Sequence, residues 1–335
     1  MELSEIYEPI KPDLARVEEM IRSAGQADLP WLPGALARDL RDGGKLAELL
    51  AYSLKGQGKR LRPALTLLAG SFYNYNPERL LPMATAVEIL HTATLVHDDA
   101  IDNSPVRRGQ PTINQLWGDE KAILLGDYLI AQAEELAAAT RNPRVITRLA
   151  RTLMTIAAGE LAQGSSAFNP ELSRQQYRHR ITSKTAALFS LATESGAILS
   201  QAPPEAAKIL KDYGYNLGIA FQIVDDIMDF IGSEAELGKP VGSDLAQGTL
   251  TLPAMLLLER YPENNPVREF FQNRDRPEAI KRAIELVRSS SIVPECYEIA
   301  SDYCARAGRH LRRLPDNASR RSLLDLADYV IARRG

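Results

Sequence analysis

The stretch His91 to Pro111 reads HTATLVHDDAIDNSPVRRGQP. Three carboxylates, Asp98, Asp99 and Asp102, end an apolar run of helical period, and two arginines and a glycine follow, Arg107, Arg108 and Gly109. On a helix, positions i and i+4 share a face, so Asp98 and Asp102 point the same way one turn apart. Carboxylates so placed repel unless a cation lies between them. Mg²⁺ suits that place, because it takes one or two carboxylates and fills its other positions with water and phosphate oxygens. The arginines supply planar forks that match phosphate. A second DDxxD, Asp225, Asp226 and Asp229 in FQIVDDIMDF, closes another apolar helical run. One copy arises by chance in roughly one chain in fifteen of this length, two in well under ~1%. The pair therefore carries the signal: two acidic faces that would hold Mg²⁺ around one diphosphate.

Other polar groups stand out against their surroundings. Gly56-Gln57-Gly58 interrupts a helical pattern, and Lys59-Arg60-Leu61-Arg62 starts the next helix with Pro63 in its first turn. A basic cluster at a helix start is an anion site, since backbone N–H groups and the helix dipole add to Lys59 and Arg62. Lys184 lies in an otherwise apolar run, where an ammonium is costly without an anion. His91 falls on the stripe of Asp98, about 10 Å away along the helix. His97 has no such companion and reads as structural. Ser-His-Asp, Cys-His and GxSxG arrangements are absent, so no protein nucleophile is expected.

The positioning elements are helical. Apolar spacing predicts helices over Ser4 to Ala24 (Ser4 as cap), Leu36 to Leu54 with a break at Gly43-Gly44, and Arg79 to Asp102 with Pro82 in its first turn. Others are expected over Trp117 to Ala139, Val145 to Gly159, Arg174 to Leu199, Pro204 to Phe230 and Thr251 to Glu259. Asn103 to Thr112, Gly164 to Pro170 and Gly232 to Gly248 read as loops. The last of these is glycine-rich and suited to closing over a substrate. Strand signals are scarce. At 335 residues, 45% hydrophobic and 25% charged, the chain has the composition of one large globular domain, taken here as 1–335. A net charge of −3 with interspersed signs gives no nucleic-acid surface. No apolar run reaches the ~20 residues of a bilayer span, and the acidic start MELSEIYEPIKPD is no secretory signal. Cys296 and Cys304 read as packed thiols of a reducing compartment, and a cytoplasmic location is expected.

The stretches GKRLRP (58–63), ILHTATLVHDDAIDNSPVRRG (89–109), SKTA (183–186), FQIVDDIMD (221–229) and LGKPVGSDL (237–245) resemble, in order, those of trans-type isoprenyl diphosphate synthases of the polyprenyl synthetase family. The resemblance implies an all-α fold, a single large helix bundle around a central apolar cavity. It also implies a Mg²⁺-dependent prenyltransferase that condenses isopentenyl diphosphate with an allylic diphosphate by ionisation, carbon–carbon bond formation and proton loss. By resemblance Asp98, Asp102 and Asp225 are the main Mg²⁺ ligands, with Asp99, Asp226 and Asp229 in support. Arg107, Lys184 and Lys239 would contact the allylic diphosphate. Lys59, Arg62, His91 and Arg108 would contact isopentenyl diphosphate, and Thr185 and Gln222 would stabilise the cation by oxygen dipoles. A homodimer is implied, and the product would pass to membrane enzymes. One departure is Thr249, where the family often has lysine. A class I terpene cyclase would not need the second DDxxD or the GKRLRP site, and a non-catalytic partner subunit would have lost motif acids or arginines. Thr94 and Ala93, four and five residues before Asp98, are small where an aromatic would make a floor. A product longer than farnesyl diphosphate, geranylgeranyl or longer, is therefore expected, and Ala93→Phe should shorten it.

Asp98→Ala and Asp225→Ala are each expected to abolish turnover with the helical circular-dichroism signal unchanged. Such electrostatic contributions are worth about 10²-fold or more, so either variant keeping more than about a tenth of the wild-type rate at saturating Mg²⁺ would refute the metal reading.

Overall fold

The computed structural model describes residues 2–26, 45–56, 58–164, 166–233 and 240–333. Among these, every regular element is helical except one ladder of two-residue strands, so the all-α expectation holds. The chain forms two compact units made of interleaved segments. Unit one holds 1–150, 191–210 and 314–322, and unit two holds 151–190, 211–313 and 323–335.

Unit one is built on the helix Pro77–Ile101. The side chain of Asn76 caps its start by accepting from Glu78 N at 2.9 Å, with Pro77 as first residue. The helix thus begins before Arg79, and Pro82 lies inside it. Helices Lys11–Ala24, Lys45–Leu54, Leu61–Gly70, Ile113–Trp117 and Asp119–Ala139 pack against it. Burial on several sides explains why this helix carries almost no apolar asymmetry: Leu80, Met83, Ala84, Val87, Leu90 and Ala93 are all buried. It is also the one described helix long and apolar enough to cross a bilayer, and 67% of that window is buried within the protein.

Proline and glycine account for the boundaries that spacing misplaced. The expected Ser4 to Ala24 helix divides into Leu3–Ile6, a 3₁₀ turn Glu8–Ile10 and Lys11–Ala24, because Pro9 and Pro12 lack the N–H a continuous helix needs. The start is closed by a Glu2–Glu5 capping box, not by Ser4. Gly118, at φ 88°, separates Ile113–Trp117 from Asp119–Ala139. His97 Nε2 lies 3.0 Å from the Ile123 carbonyl and 3.6 Å from Asp127, a structural seat. Of the expected Leu36 to Leu54 helix, only Lys45–Leu54 falls within the described residues.

In unit two, the helix Pro204–Ile231 supplies Leu217, Ile219, Ala220, Ile223, Val224, Ile227 and Phe230 to the core. Helices Leu252–Arg260, Pro266–Gln272, Pro277–Ser289 and Ile292–Arg309 complete the unit's later part. Buried Tyr213 donates to the Leu323 carbonyl at 2.6 Å. Cys296 and Cys304 are buried free thiols, and burial pushes both well above the ordinary thiol range. The expected single helix Arg174 to Leu199 is interrupted. It runs Arg174–Ile181, then five residues of π-helix, Thr182–Ala186, then Ala187–Leu199.

Candidate active site

The basic half of unit one grows from backbone strain. Arg60 caps the helix Leu61–Gly70 in the left-handed region, φ 47°, ψ 34°, a conformation that costs a non-glycine residue of order 1 kcal/mol or more. The guanidinium holds it there. It is almost fully buried and donates to both Glu18 oxygens, to Glu88 Oε1 at 2.9 Å and to the Gly56 carbonyl at 3.0 Å. Desolvation opposes its charge, and the bonds to Glu18 and Glu88 outweigh that, so its pKa is raised. The Tyr7 hydroxyl donates to the Lys59 carbonyl at 3.0 Å. Arg60 is thus a clamp that fixes the turn bearing Lys59 and Arg62.

The expected loop after Asp102 contains a hairpin. Val106–Arg107 pairs antiparallel with Gln110–Pro111. Arg108 (φ 51°) and Gly109 (φ 73°) make the turn, both at positive φ as a primed hairpin turn requires. The Thr112 hydroxyl donates to the Ser104 carbonyl at 2.6 Å and Tyr52 to the Pro111 carbonyl at 2.7 Å, which tie down its base. On the hairpin Arg107 grips buried Asp99, with Nε at 2.9 and 2.8 Å from the two carboxylate oxygens and Nη2 at 2.8 Å. Desolvation still leaves the Asp99 pKa raised, with Asp98 adding to it and Arg107 opposing. Arg108 Nη1 comes 3.7 Å from where a Cβ on Gly58 would lie, which brings the hairpin to the Gly58–Arg62 turn. His91 stands within this charge. Desolvation, then Arg62, Arg108, Arg107 and Arg60 in turn, hold its imidazole well below the ordinary value. Arg62, His91 and Arg108 therefore lie near one another in unit one, with Lys59 on the turn that Arg60 fixes.

The six motif acids sort by exposure. Asp99, Asp226 and Asp229 are buried, at 6%, 3% and 1% exposed. Asp98 and Asp225 are partly exposed and Asp102 is exposed. In unit two, Asp226 accepts from Tyr177 and Gln222, and burial, with the charge of Asp244, raises it to about 7. Asp229 accepts from Ser243 Oγ at 2.9 Å and Asp244 N at 3.2 Å, which caps the short helix Ser243–Ala246. Asp225 is paired at 3.0 Å with Arg333 from the far end of the chain, whose guanidinium also lies 4.3 Å over the Phe221 ring. Lys184 and Thr185 are both in the π-helical turn, a distortion frequent at functional sites. Lys184 lies 3.4 Å from Glu160, and the Thr185 hydroxyl donates to Gln222 Oε1. Arg180 donates to the Leu250 carbonyl at 2.6 Å, a cation next to the position of Thr249. Lys239 lies outside the described residues.

Do these acids fit Mg²⁺? Both motifs end long helices, Pro77–Ile101 and Pro204–Ile231, and neither last turn carries a basic residue. The helix C-terminus is the negative end of the dipole, so the field there favours a cation. Asp225 has in fact drawn a guanidinium. Among the described residues no three acidic, histidine or cysteine side chains converge as a ready-made metal cage. Mg²⁺ needs none, since water and phosphate oxygens complete its shell. The donor set fits.

Spacing did not show Arg60, Glu18, Glu88, Tyr177 or Arg333. A local signal existed for one: Glu88 in the apolar run MATAVEIL is a carboxylate that needs a buried cation.

Comparison with known proteins gives the family. The family model described as polyprenyl synthetase matches residues 44–287. The chain is 36% identical over 330 residues to heptaprenyl diphosphate synthase component 2 of Geobacillus stearothermophilus, covering 98% of each. The crystal structure of a polyprenyl synthase from Caulobacter crescentus CB15, complexed with calcium and isoprenyl diphosphate, matches at TM-score 0.90 and 33% identity, covering 100% of this chain and 98% of that one. A decaprenyl diphosphate synthase from Rhodobacter capsulatus matches at TM-score 0.88 and 35% identity, covering 99% of both.

The lowered pKa of half-buried His91, set first by desolvation, has a measurable consequence. Below about pH 6.5 the unfolded chain takes a proton that the folded chain refuses, so stability falls as pH drops, by up to about 1.4 kcal/mol per unit. In His91→Gln that loss is expected to shrink. Urea unfolding at about pH 7 and pH 5 without diphosphate measures it, and an unchanged pH dependence would show that His91 titrates normally.

Proposed function

We propose, from the premise that this chain belongs to the polyprenyl synthetase family, that it extends an allylic diphosphate with isopentenyl diphosphate to a medium- or long-chain all-trans polyprenyl diphosphate. It is a prenyltransferase. The observation that carries the substrate reading is the meeting of the hairpin with the Gly58–Arg62 turn, Arg108 Nη1 lying 3.7 Å from where a Cβ on Gly58 would be, with the His91 imidazole desolvated near these arginines. Lys59, Arg62 and Arg108 bind the diphosphate of isopentenyl diphosphate, and His91 contributes a hydrogen bond. Lys184, Arg107 and Lys239 bind the allylic diphosphate. Thr185 and Gln222 present oxygen to the cation left when the C–O bond breaks.

Asp98, Asp102 and Asp225 would hold Mg²⁺, which when bound offsets the charge that builds on the leaving diphosphate. Asp99, Asp226 and Asp229 support them, Asp99 by orienting Arg107 and Asp229 by fixing the turn of Asp244. The whole chain would act as one catalytic domain. We also propose a homodimer. Met154 and Leu161, two turns apart on the helix Pro143–Gly164, are 71% and 79% exposed, an apolar face suited to a second copy. A single-chain mass by light scattering would overturn that part. The enzyme would work in the cytoplasm and release its product to membrane enzymes.

Product length is the decisive test. Ala93 and Thr94 lie about 6 to 7.5 Å further along the helix from Asp98. Ala93 is wholly buried in unit one, so a phenylalanine there would overpack it, whereas Thr94 is partly exposed and leaves room. With labelled isopentenyl diphosphate and several primers, the wild-type chain should give products beyond farnesyl diphosphate, and Thr94→Phe should shorten them. A wild-type product ending at farnesyl diphosphate, or a Thr94→Phe product of unchanged length, would place the floor elsewhere.

A further inference from the structure

Hydrogen bonds in unit two run in one direction. The Thr185 hydroxyl donates to Gln222 Oε1 at 2.5 Å, the Gln222 amide donates to Asp226 Oδ1 at 2.9 Å, and the Tyr177 hydroxyl donates to Asp226 Oδ2 at 2.7 Å. Thr185, Asp226 and Tyr177 are all buried. Gln222 thus turns its NH₂ to Asp226 and its carbonyl to Thr185. That carbonyl only accepts. The Thr185 hydroxyl therefore spends its single proton on Gln222, and lone pairs alone remain on Thr185 Oγ1.

The order of protons is set at Asp226, and Tyr177 secures it. Tyr177 occupies the second carboxylate oxygen from a different helix, Arg174–Ile181, which stops the carboxylate from turning away from Gln222. Tyr177 is itself a poor acid here, because burial and the facing Asp226 push its pKa far up, so it stays a donor. Without Tyr177 one buried acceptor of Asp226 loses its partner. Gln222 is then free to rotate, and the Thr185 proton is no longer confined to one side.

We propose that Tyr177 is a positioning residue for prenyl transfer: through Asp226 and Gln222 it holds the Thr185 proton inward, so that the Thr185 oxygen offers only lone pairs to the forming allylic cation. The inference rests on the prenyltransferase reading above and adds a residue to it. Aligned dipoles that need no reorganisation as charge develops are an effective way to lower such a barrier. The effect falls on the ionisation step and not on binding, since Tyr177 touches neither diphosphate group in this reading.

The test is a double-mutant cycle of wild type, Tyr177→Phe, Thr185→Val and the double variant, with kcat and both KM values measured. Tyr177→Phe is expected to lower kcat about tenfold and leave each KM within about twofold. Thr185→Val is expected to lower kcat by at least as much. If Tyr177 acts through Thr185, the double variant is no slower than Thr185→Val alone, whereas a general packing role would give multiplicative losses. Multiplicative losses, or a Tyr177→Phe enzyme with wild-type kcat, overturn the inference. Should Tyr177→Phe fail to fold by circular dichroism, Tyr177→Leu, which also removes the hydroxyl, replaces it in the same cycle with the same expected outcome. A wild-type chain without turnover overturns the prenyltransferase reading as well. A wild-type chain that turns over, with multiplicative losses, overturns only the role of Tyr177.

Discussion

A carboxylate at the C-terminal end of a helix stands in an unfavourable field, and much of this site follows from that constraint. The helix dipole adds negative potential there, and each motif packs three acids into five residues. Like charges that close cannot remain ionised and buried without compensation. The protein answers differently for each acid. Asp99 is gripped by Arg107, Asp226 by Tyr177 and Gln222, and Asp229 by Ser243 and the Asp244 amide. These three are the buried members. Asp98, Asp102 and Asp225 keep more exposure, and Asp225 meets its cation from outside the motif, in Arg333. The middle acid of each motif thus organises the residues around it within its own unit.

The basic side obeys the complementary rule. A cluster of arginines repels itself, and holding it in place requires acids that do not neutralise the whole. Glu18 and Glu88 both pair with Arg60. Arg60 in return holds a left-handed turn that carries Lys59 and begins the helix of Arg62. The turn of the hairpin solves the same problem with Arg108 at positive φ, beside a glycine that takes the second positive φ without cost. Strain at these two arginines is local, and at Arg60 it is offset by bonds to Glu18 and Glu88, residues distant in sequence.

What the sequence made legible was chemistry carried by local spacing. The two DDxxD runs, the GKRLRP cluster and the intrusive Lys184 are patterns within a few residues, and the helical period placed them on helices. The unread features are long-range. Arg60 reaches Glu18 across 42 positions, Tyr177 reaches Asp226 across 49, and Arg333 reaches Asp225 across 108. No window of helical period contains such pairs. The π-helical turn at Thr182–Ala186 was likewise unmarked, because no residue type or spacing in TSKTA distinguishes a π turn from an α-helical one. Close to it, the Ser183 side chain lies where a Cβ on Gly159 would have to be.

One helix ties these features together. Pro77–Ile101 carries Glu88, His91, Asp98 and Asp99, and Asp102 caps its end. Glu88 sustains the arginine clamp, His91 sits among the arginines, and the acids lie at the terminus. Seven residues separate His91 from Asp98, which at ~1.5 Å per residue is about 10 Å. The buried helix converts that sequence spacing into a distance between a basic cluster and an acidic one within unit one. Five described helices pack against it, and since long helices curve convex toward solvent around a core, a helix enclosed on several sides has no single wet face to set such a curve. The apolar character that lets this helix mimic a membrane span therefore follows from its place in the core of unit one, where it spaces the two charged clusters along its length.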